Sequence, residues 1–220
     1  HNRKHSFPTR RSSDLLRGGA GNDVVAGQQG SDRVQGDGGA DRLFGGGGAD
    51  TMLGNAGADT MSGGAGGDGL FGGANPDRLS GDGGDDFLVG GTFGDILGGG
   101  AGADTMLGGF GPDRMWGGAQ ADIFRFDDVA HSPRARQDSI RDFTAGEDRI
   151  NLFFIDADET ATGDQAFDFV GAAGFSGTAG ELRFAPRFDR LQGDTDGDGT
   201  PDFVVWLPGV AALGDADIIA

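Results

Sequence analysis

From Gly18 onward the chain repeats one pattern of apolar and polar positions every nine residues. The eighth position of each unit is apolar: Val25, Val34, Leu43, Met52, Met61, Leu70, Leu79, Leu88, Leu97, Met106, Met115 and Phe124. The sixth is always Asp: Asp23, Asp32, Asp41, Asp50, Asp59, Asp68, Asp77, Asp86, Asp95, Asp104, Asp113 and Asp122. The first is always Gly, from Gly18 to Gly117, and the fourth is Gly in nine of twelve. Twelve units, from GGAGNDVVA (18–26) to GGAQADIFR (117–125), run without insertion or deletion over 108 residues. A fixed period of this kind marks a repeat architecture, in which a unit buries its apolar residue only by stacking on its neighbours. One apolar residue per unit predicts short strands around a thin core. Glycines at fixed spacing predict a backbone that takes φ > 0 or lies close to another backbone.

After Arg125 the pattern changes. Gly falls to 11 in 95 residues. Short apolar runs predict strands at 123–126, 139–143, 149–153, 166–170, 181–184 and 203–207, separated by turn signals such as Ala145-Gly146-Glu147-Asp148 and Gly193-Asp194. This reads as a β-rich cap over 126–220, with a helical turn near 156–161. A solenoid needs such a cap to close its open end.

Composition narrows the function. The 220 residues hold 47 Gly, and 36 of these fall within the repeats. Only 7 Pro are present, so a collagen triple helix is excluded. With no Cys, disulfide scaffolds, Cys-ligated zinc and a cysteine nucleophile are excluded. No apolar run approaches the roughly 20 residues of a membrane-spanning helix. A net charge of −18 argues against nucleic acid or an anionic membrane as a main partner and fits a binder of cations. An Asp repeated twelve times with no neighbouring Lys is costly unless a cation neutralises it.

The nonapeptide matches G-G-x-G-x-D-x-U-x, and in this it resembles the calcium-binding repeats of RTX proteins. The resemblance implies an all-β fold, a right-handed parallel β-roll with two nonapeptides per coil, six residues in each turn and three in each strand. Calcium would sit between turns stacked on one edge, so that each unit pairs with the next but one. Twelve units then give at most ten sites. The implied ligands are the twelve Asp carboxylates with turn carbonyls such as those of Gly19, Gly21, Gly39, Gly48, Gly57, Gly66, Gly84, Gly102 and Gly111, a hard-oxygen shell suited to Ca²⁺. Position 4 departs from Gly at Asn75, Phe93 and Gln120. Phe tolerates a left-handed conformation poorly, which predicts a distorted turn and weak calcium at 90–95. Odd and even units would build opposite sheets. Outside the even sheet stand Leu53, Phe71, Phe87, Val89, Leu107 and Ile123, an apolar strip expected to be covered by the tail or by a domain upstream. Outside the odd sheet stand Arg42, Thr60, Ser62, Arg78 and Arg114, with Phe44, Ile96 and Trp116 among them.

The order of the tail resembles the C-terminal region of serralysin-type secreted metalloproteases, in ADIFRF (121–126), DSIRDFTAGEDRINL (138–152), DGDGTPDFVVWL (196–207) and DADIIA (215–220). The resemblance implies an uncleaved type I secretion signal at Asp217-Ile218-Ile219-Ala220, export through the type I secretion machinery, and an extracellular location. The run from Asp194 resembles the start of an EF-hand loop, with Asp194, Asp196, Asp198 and Asp202 as ligands of one further calcium; position 12 is Val205 where a Glu belongs, and an Asx-rich hairpin turn explains the run as well. The zinc motif H-E-x-x-H of the proteases is missing, and His131, the one His beyond residue 5, reads as a loop residue. No catalytic residue is assigned in this chain, and G-x-G-x-x-G-like strings arise from the repeat itself. The leading reading is a calcium-binding module that folds after secretion. The alternatives are the C-terminal fragment of a zinc protease with its catalytic domain upstream, or the end of an adhesin.

The first residues stand apart. They hold the only Lys, Lys4, and two of three His, His1 and His5. The run from Ser6 to Leu15 resembles the conceptual translation of a sequencing adapter, so 1–17 is read as a non-native or disordered leader, 18–125 as the roll and 126–220 as the cap. On that reading the native N-terminal part of a longer protein lies upstream.

Overall fold

The structure is a computed structural model that describes residues 13–220 and a two-residue strand at Lys4–His5. The rest of the stretch 1–12, most of the expected leader, lies outside the described residues. The molecule is all-β: two parallel sheets lie face to face and form a parallel β-roll of about six coils, closed by a β-rich cap. Odd units supply one sheet, from Val24–Gln29 through Arg42–Gly47, Thr60–Ala65, Arg78–Gly83 and Ile96–Ala101 to Arg114–Ala119. Even units supply the other, from Arg33–Gly38 to Thr105–Phe110 and Ile123–Arg125. Register is strict: Leu88 pairs with Leu70 on one side and Met106 on the other.

The strands are longer than the three residues the resemblance implies. Each before Ile123–Arg125 runs six residues, over positions 7 to 9 of one unit and 1 to 3 of the next, and the turn shrinks to positions 4 to 6. Left-handed backbone at positions 2 and 4 explains this. Gly73 (φ 110) and Gly91 (φ 118) at position 2, like Gly84 (φ 120) and Gly102 (φ 136) at position 4, bend the chain while the ladder of hydrogen bonds continues, as in Gly21 N–H to Gly38 O at 2.7 Å. A side chain at position 4 also has no room where glycines stack: a Cβ on Gly57 would collide with the Gly39 carbonyl below it. Unexpectedly, polar residues take the same conformation at position 2, with Gln28, Asp37, Asn55 and Asp82 at φ 73 to 83.

Between the sheets the position-8 side chains form a single file, each from Val25 to Phe124 at most 3% exposed. Burying each contributes roughly 1.5–3 kcal/mol. The file continues past both ends of the repeat. Upstream, Leu15–Ala20 pairs with Arg33–Gly38, and buried Leu16 stands where position 8 of a preceding unit would. Downstream, Asp138–Ile140 adds to the odd sheet beside Arg114–Ala119, and Arg149–Asn151 adds to the even sheet beside Ile123–Arg125. Ile140 and Ile150, both fully buried, take the position-8 places.

The cap thus grows out of the roll rather than folding across its even face, where Leu53, Phe71, Val89 and Leu107 stay half-buried. Antiparallel strands Glu181–Ala185, Arg190–Asp194 and Phe203–Trp206 extend the odd sheet, and Ile218–Ile219 ends the even one. Their core, including Phe126, Phe143, Leu182, Leu191 and Phe203, is continuous with that of the roll, and Phe126 meets Phe203 edge-on at 5.2 Å. Ser132 pins the junction: its hydroxyl donates to the Val204 carbonyl at 2.5 Å and accepts the Asp138 N–H at 2.7 Å. The helical turn expected near 156–161 is not there; turns and bends occupy it, braced by Asp156 and Asp158 carboxylates on nearby amides. Short 3-10 turns lie instead at Val129–His131 and Asp215–Asp217.

Candidate metal sites along the roll

The invariant Asp closes each turn and points inward, although it begins the exposed edge of a strand. All twelve are 1–3% exposed. From Asp32 to Asp122, one oxygen of each is used in the same way. Asp41 Oδ1 accepts the Asp23 N–H at 2.8 Å, Asp59 Oδ1 accepts that of Asp41, and the ladder climbs through Asp77 and Asp95 to Asp113. A second ladder climbs the other edge from Asp32 through Asp50, Asp68, Asp86 and Asp104 to Asp122. The other oxygen, Oδ2, is buried in all twelve and has no hydrogen-bond partner among the described residues.

The surroundings of Oδ2 are built of oxygen. A methyl group on Gly72 would stand 2.5 Å from Asp77 Oδ2 and 2.6 Å from the Gly90 carbonyl oxygen of the next coil; on Gly90 it would stand 2.5 Å from Asp95 Oδ2 and 2.6 Å from the Gly108 carbonyl. Position 1 must therefore be Gly, because carboxylate and carbonyl oxygens converge on the space its side chain would fill. Hard oxygens without a donor to satisfy them fit Ca²⁺ or a similar cation. The position-4 carbonyls of the implied ligand set, such as those of Gly39, Gly48, Gly66 and Gly84, face the α-carbons of position-4 glycines one coil on.

Burial without compensation pushes up the pKa values of the ladder carboxyls from Asp41 to Asp122. Asp50 and Asp59 rise to about 6, Asp77, Asp86 and Asp122 to about 7, and Asp95 to about 8. Desolvation is the chief cause; the backbone N–H on Oδ1 opposes it, and the carboxylates one coil away add to it.

The ladders continue into residues that the nine-residue period missed. Asp138 Oδ1 accepts the Asp113 N–H at 2.8 Å, its Oδ2 has no partner, and burial lifts its pKa to about 9. Asp148 Oδ1 accepts the Asp122 N–H at 3.0 Å, but its Oδ2 accepts the Thr144 N–H, so the even ladder is closed by the protein itself. Upstream, the Asp14 N–H donates to Asp32 Oδ1. The triplets Asp14-Leu15-Leu16, Asp138-Ser139-Ile140 and Asp148-Arg149-Ile150 repeat the D-x-U signature of the units; the signal was present without its spacing.

At Phe93 the expected distortion does not reach the ladder. Phe93 takes φ 79, close to the φ 83 of Asn75 one coil below, its ring is 58% exposed, and the flanking Asp77–Asp95 and Asp95–Asp113 bonds are both 2.7 Å.

In the cap, Asp194, Asp196 and Asp202 place carboxylate oxygens within 4.8 Å of one another, whereas Asp198 stands outside the group. Both oxygens of buried Asp194 accept N–H groups, from Gly197 and Gly199, and Asp202 Oδ2 accepts the N–H and hydroxyl of Thr195. These bonds shape a hairpin turn. His131 is buried rather than in an open loop, edge-on to Phe110 at 4.8 Å, and burial lowers its pKa. No helix among the described residues is long and apolar enough to cross a membrane.

The family model for the C-terminal part of serralysin, peptidase M10, matches residues 16–220. No curated protein matches the sequence. Among solved structures, the chain is similar to the solution structure of the AlgE6R3 subunit from the Azotobacter vinelandii mannuronan C5-epimerase. The two are 20% identical, the match covers 97% of this chain and 86% of that one, and the TM-score is 0.36.

Proposed function

Because the chain belongs to the peptidase M10 serralysin C-terminal family, we propose that it is a calcium-dependent folding and export module at the end of a larger secreted protein. The observation that carries the reading is the row of buried Oδ2 atoms without partners. Asp23 to Asp122, with turn carbonyls, would hold about ten Ca²⁺ along the two edges. Asp138 would close the odd edge with one more. The hairpin acids Asp194, Asp196 and Asp202 would form a separate, weaker site.

Bound calcium supplies charge neutralisation. Metal-free, residues 18–125 carry 15 Asp against 5 Arg, a net of −10. With so little apolar mass such a chain stays expanded. Sites absent from the unfolded chain turn binding free energy into folding free energy. At free calcium tenfold above Kd each site adds about 1.4 kcal/mol, so ten add on the order of 14 kcal/mol. Extracellular modules of this kind bind at about 10⁻⁴–10⁻³ M. The chain would thus stay unfolded and exportable in a low-calcium cytosol and fold outside. Asp217-Ile218-Ile219-Ala220 would be read by type I secretion machinery before it settles as the edge strand Ile218–Ile219. Chemistry would belong to a domain upstream, a zinc protease being the reading the family favours, and that domain would rest on the even sheet at Leu53, Phe71, Val89 and Leu107.

Calcium titration followed by circular dichroism tests this. A cooperative rise in strand signal between about 0.1 and 1 mM Ca²⁺, reversed by chelator and not reproduced by Mg²⁺, is expected. A spectrum unchanged by 10-fold higher calcium would overturn it.

A further inference from the structure

The outer face of the odd sheet carries a row of arginines that the described residues leave unpaired. Arg42, Arg78 and Arg114 occupy position 7 of alternate odd units, with Thr60 and Ile96 in register between them. Adjacent strands lie about 4.8 Å apart, so these guanidiniums recur about every 10 Å along a straight line. All three residues are exposed, and none of their guanidiniums makes an ion pair or hydrogen bond among the described residues. The turn residues beside them at position 5, among them Ala40, Ala58, Pro76 and Pro112, carry no charge. Between Arg78 and Arg114 lies a cavity of about 330 Å³ floored by Ile96 and walled by Pro76 and Pro112; its two acids, Asp77 and Asp95, are the buried ladder carboxylates. One other carboxylate on this face, Asp82, is held by the hydroxyls of Ser62 and Ser80. Aromatic planes flank the row: Phe44 and Trp116, 42% and 39% exposed, lie two residues beyond Arg42 and Arg114 on the same face.

We propose that this face binds an acidic polysaccharide whose carboxylates recur on alternate sugars. A guanidinium takes a carboxylate through two parallel hydrogen bonds, and a flat exposed ring accepts the apolar face of a pyranose. The spacing selects against nucleic acid, whose phosphates recur about every 3.4 Å along a strand; roughly two in three would face Thr60, Ile96 or bare backbone. An anionic bilayer would want a continuous apolar strip beside the cations, and the strip of Leu53, Phe71, Val89 and Leu107 is on the opposite sheet. The face needs the folded roll but no particular number of bound ions.

The test is binding of the calcium-loaded full chain to hyaluronan, in which uronate alternates with a neutral sugar. Saturable binding is expected, at least tenfold weaker in the triple variant Arg42→Ser/Arg78→Ser/Arg114→Ser and several-fold weaker in Trp116→Ala. Arg33→Ser, on the other sheet, should bind as the parent does. Circular dichroism in calcium confirms the fold of each variant, and so separates loss of this surface from failure of calcium-driven folding. Should the triple variant not fold, Arg78→Ser alone decides, with about threefold weaker binding expected. The proposal fails if the folded parent does not bind hyaluronan, if folded arginine variants bind it equally, if neutral dextran binds as well, or if duplex DNA or phosphatidylserine vesicles bind more tightly.

Discussion

From Asp32 to Asp122 each invariant Asp has two oxygens in two different conditions: Oδ1 takes a backbone N–H from the coil below, and Oδ2 takes nothing among the described residues. That asymmetry makes the residue both a structural pin and a ligand in waiting, and the nine-residue pattern alone revealed only the second role. The type and spacing of Asp were legible because a repeated, uncompensated charge has few explanations. The Oδ1 bond was not, since nothing in the sequence says which neighbour a carboxylate will face. The raised carboxyls also make stability depend on pH. With pKa values of about 6 to 8 at Asp50, Asp59, Asp77, Asp86, Asp95, Asp113 and Asp122 and about 9 at Asp138, the metal-free fold takes up protons on folding. Its stabilisation by protonation is complete below about pH 4, the ordinary Asp value, and is lost as pH rises through about 6 to 9. In chelator, strand content should therefore fall as pH is raised from 5 to 9. In calcium the sign reverses, because protons must leave the ligands, and the apparent affinity should rise over the same window. Circular dichroism across pH with and without chelator checks both; an apparent calcium affinity that does not rise with pH would contradict the burial of these carboxyls.

At the scale of the element, the unit is a three-residue turn and a six-residue strand hinged at two left-handed positions. The position-4 hinge was legible from Gly at nine of twelve places. The position-2 hinge was hidden, because Gln28, Asp37, Asn55 and Asp82 break the run of glycines there yet adopt the same backbone. The cap strands Asp138–Ile140 and Arg149–Asn151 were recognised as strands but not as rungs. Insertions set Asp113 and Asp138 25 residues apart, and Asp122 and Asp148 26 apart, against 18 between rungs of the roll. Arg190–Asp194 escaped notice altogether, since Gln192 and Gly193 interrupt its apolar pattern. Phe93 is the one large apolar side chain at a position-4 hinge, and it buries little in return for its left-handed backbone. Such strain costs of order 1–3 kcal/mol, of which the extra chain entropy of glycine takes back a part. Phe93→Gly should consequently raise the stability of the calcium-loaded chain by about 1 kcal/mol, measured as a higher thermal midpoint. An unchanged or lower midpoint would mean that the exposed ring contributes contacts that offset the strain.

For the molecule as a whole, the two ladders and the file of position-8 side chains make a stack in which each coil contacts only its neighbours, so the ends decide whether it forms. The C-terminal end is closed chemically as well as sterically. Ile140 and Ile150 cover the last apolar rungs, Met115 and Phe124, while Asp138 and Asp148 receive the N–H groups of Asp113 and Asp122 that would otherwise face solvent or nothing. Ser132 then locks Asp138 to Phe203–Trp206, tying this closure to the core of the cap. A cap that merely shielded the end would be dispensable at high calcium, because ten occupied sites in the roll would outweigh one exposed layer. A cap that supplies the first complete rung instead sets the nucleus on which coils are laid, since forming an isolated first coil costs chain entropy with few contacts in return. The two cases differ in what happens to a chain ending at Arg125. If the cap nucleates the roll, that chain should need at least tenfold more calcium to reach its midpoint and should lose the cooperativity of the transition, both visible by circular dichroism. A truncated chain that folds with the same midpoint and steepness as the full one would show that the repeats nucleate themselves.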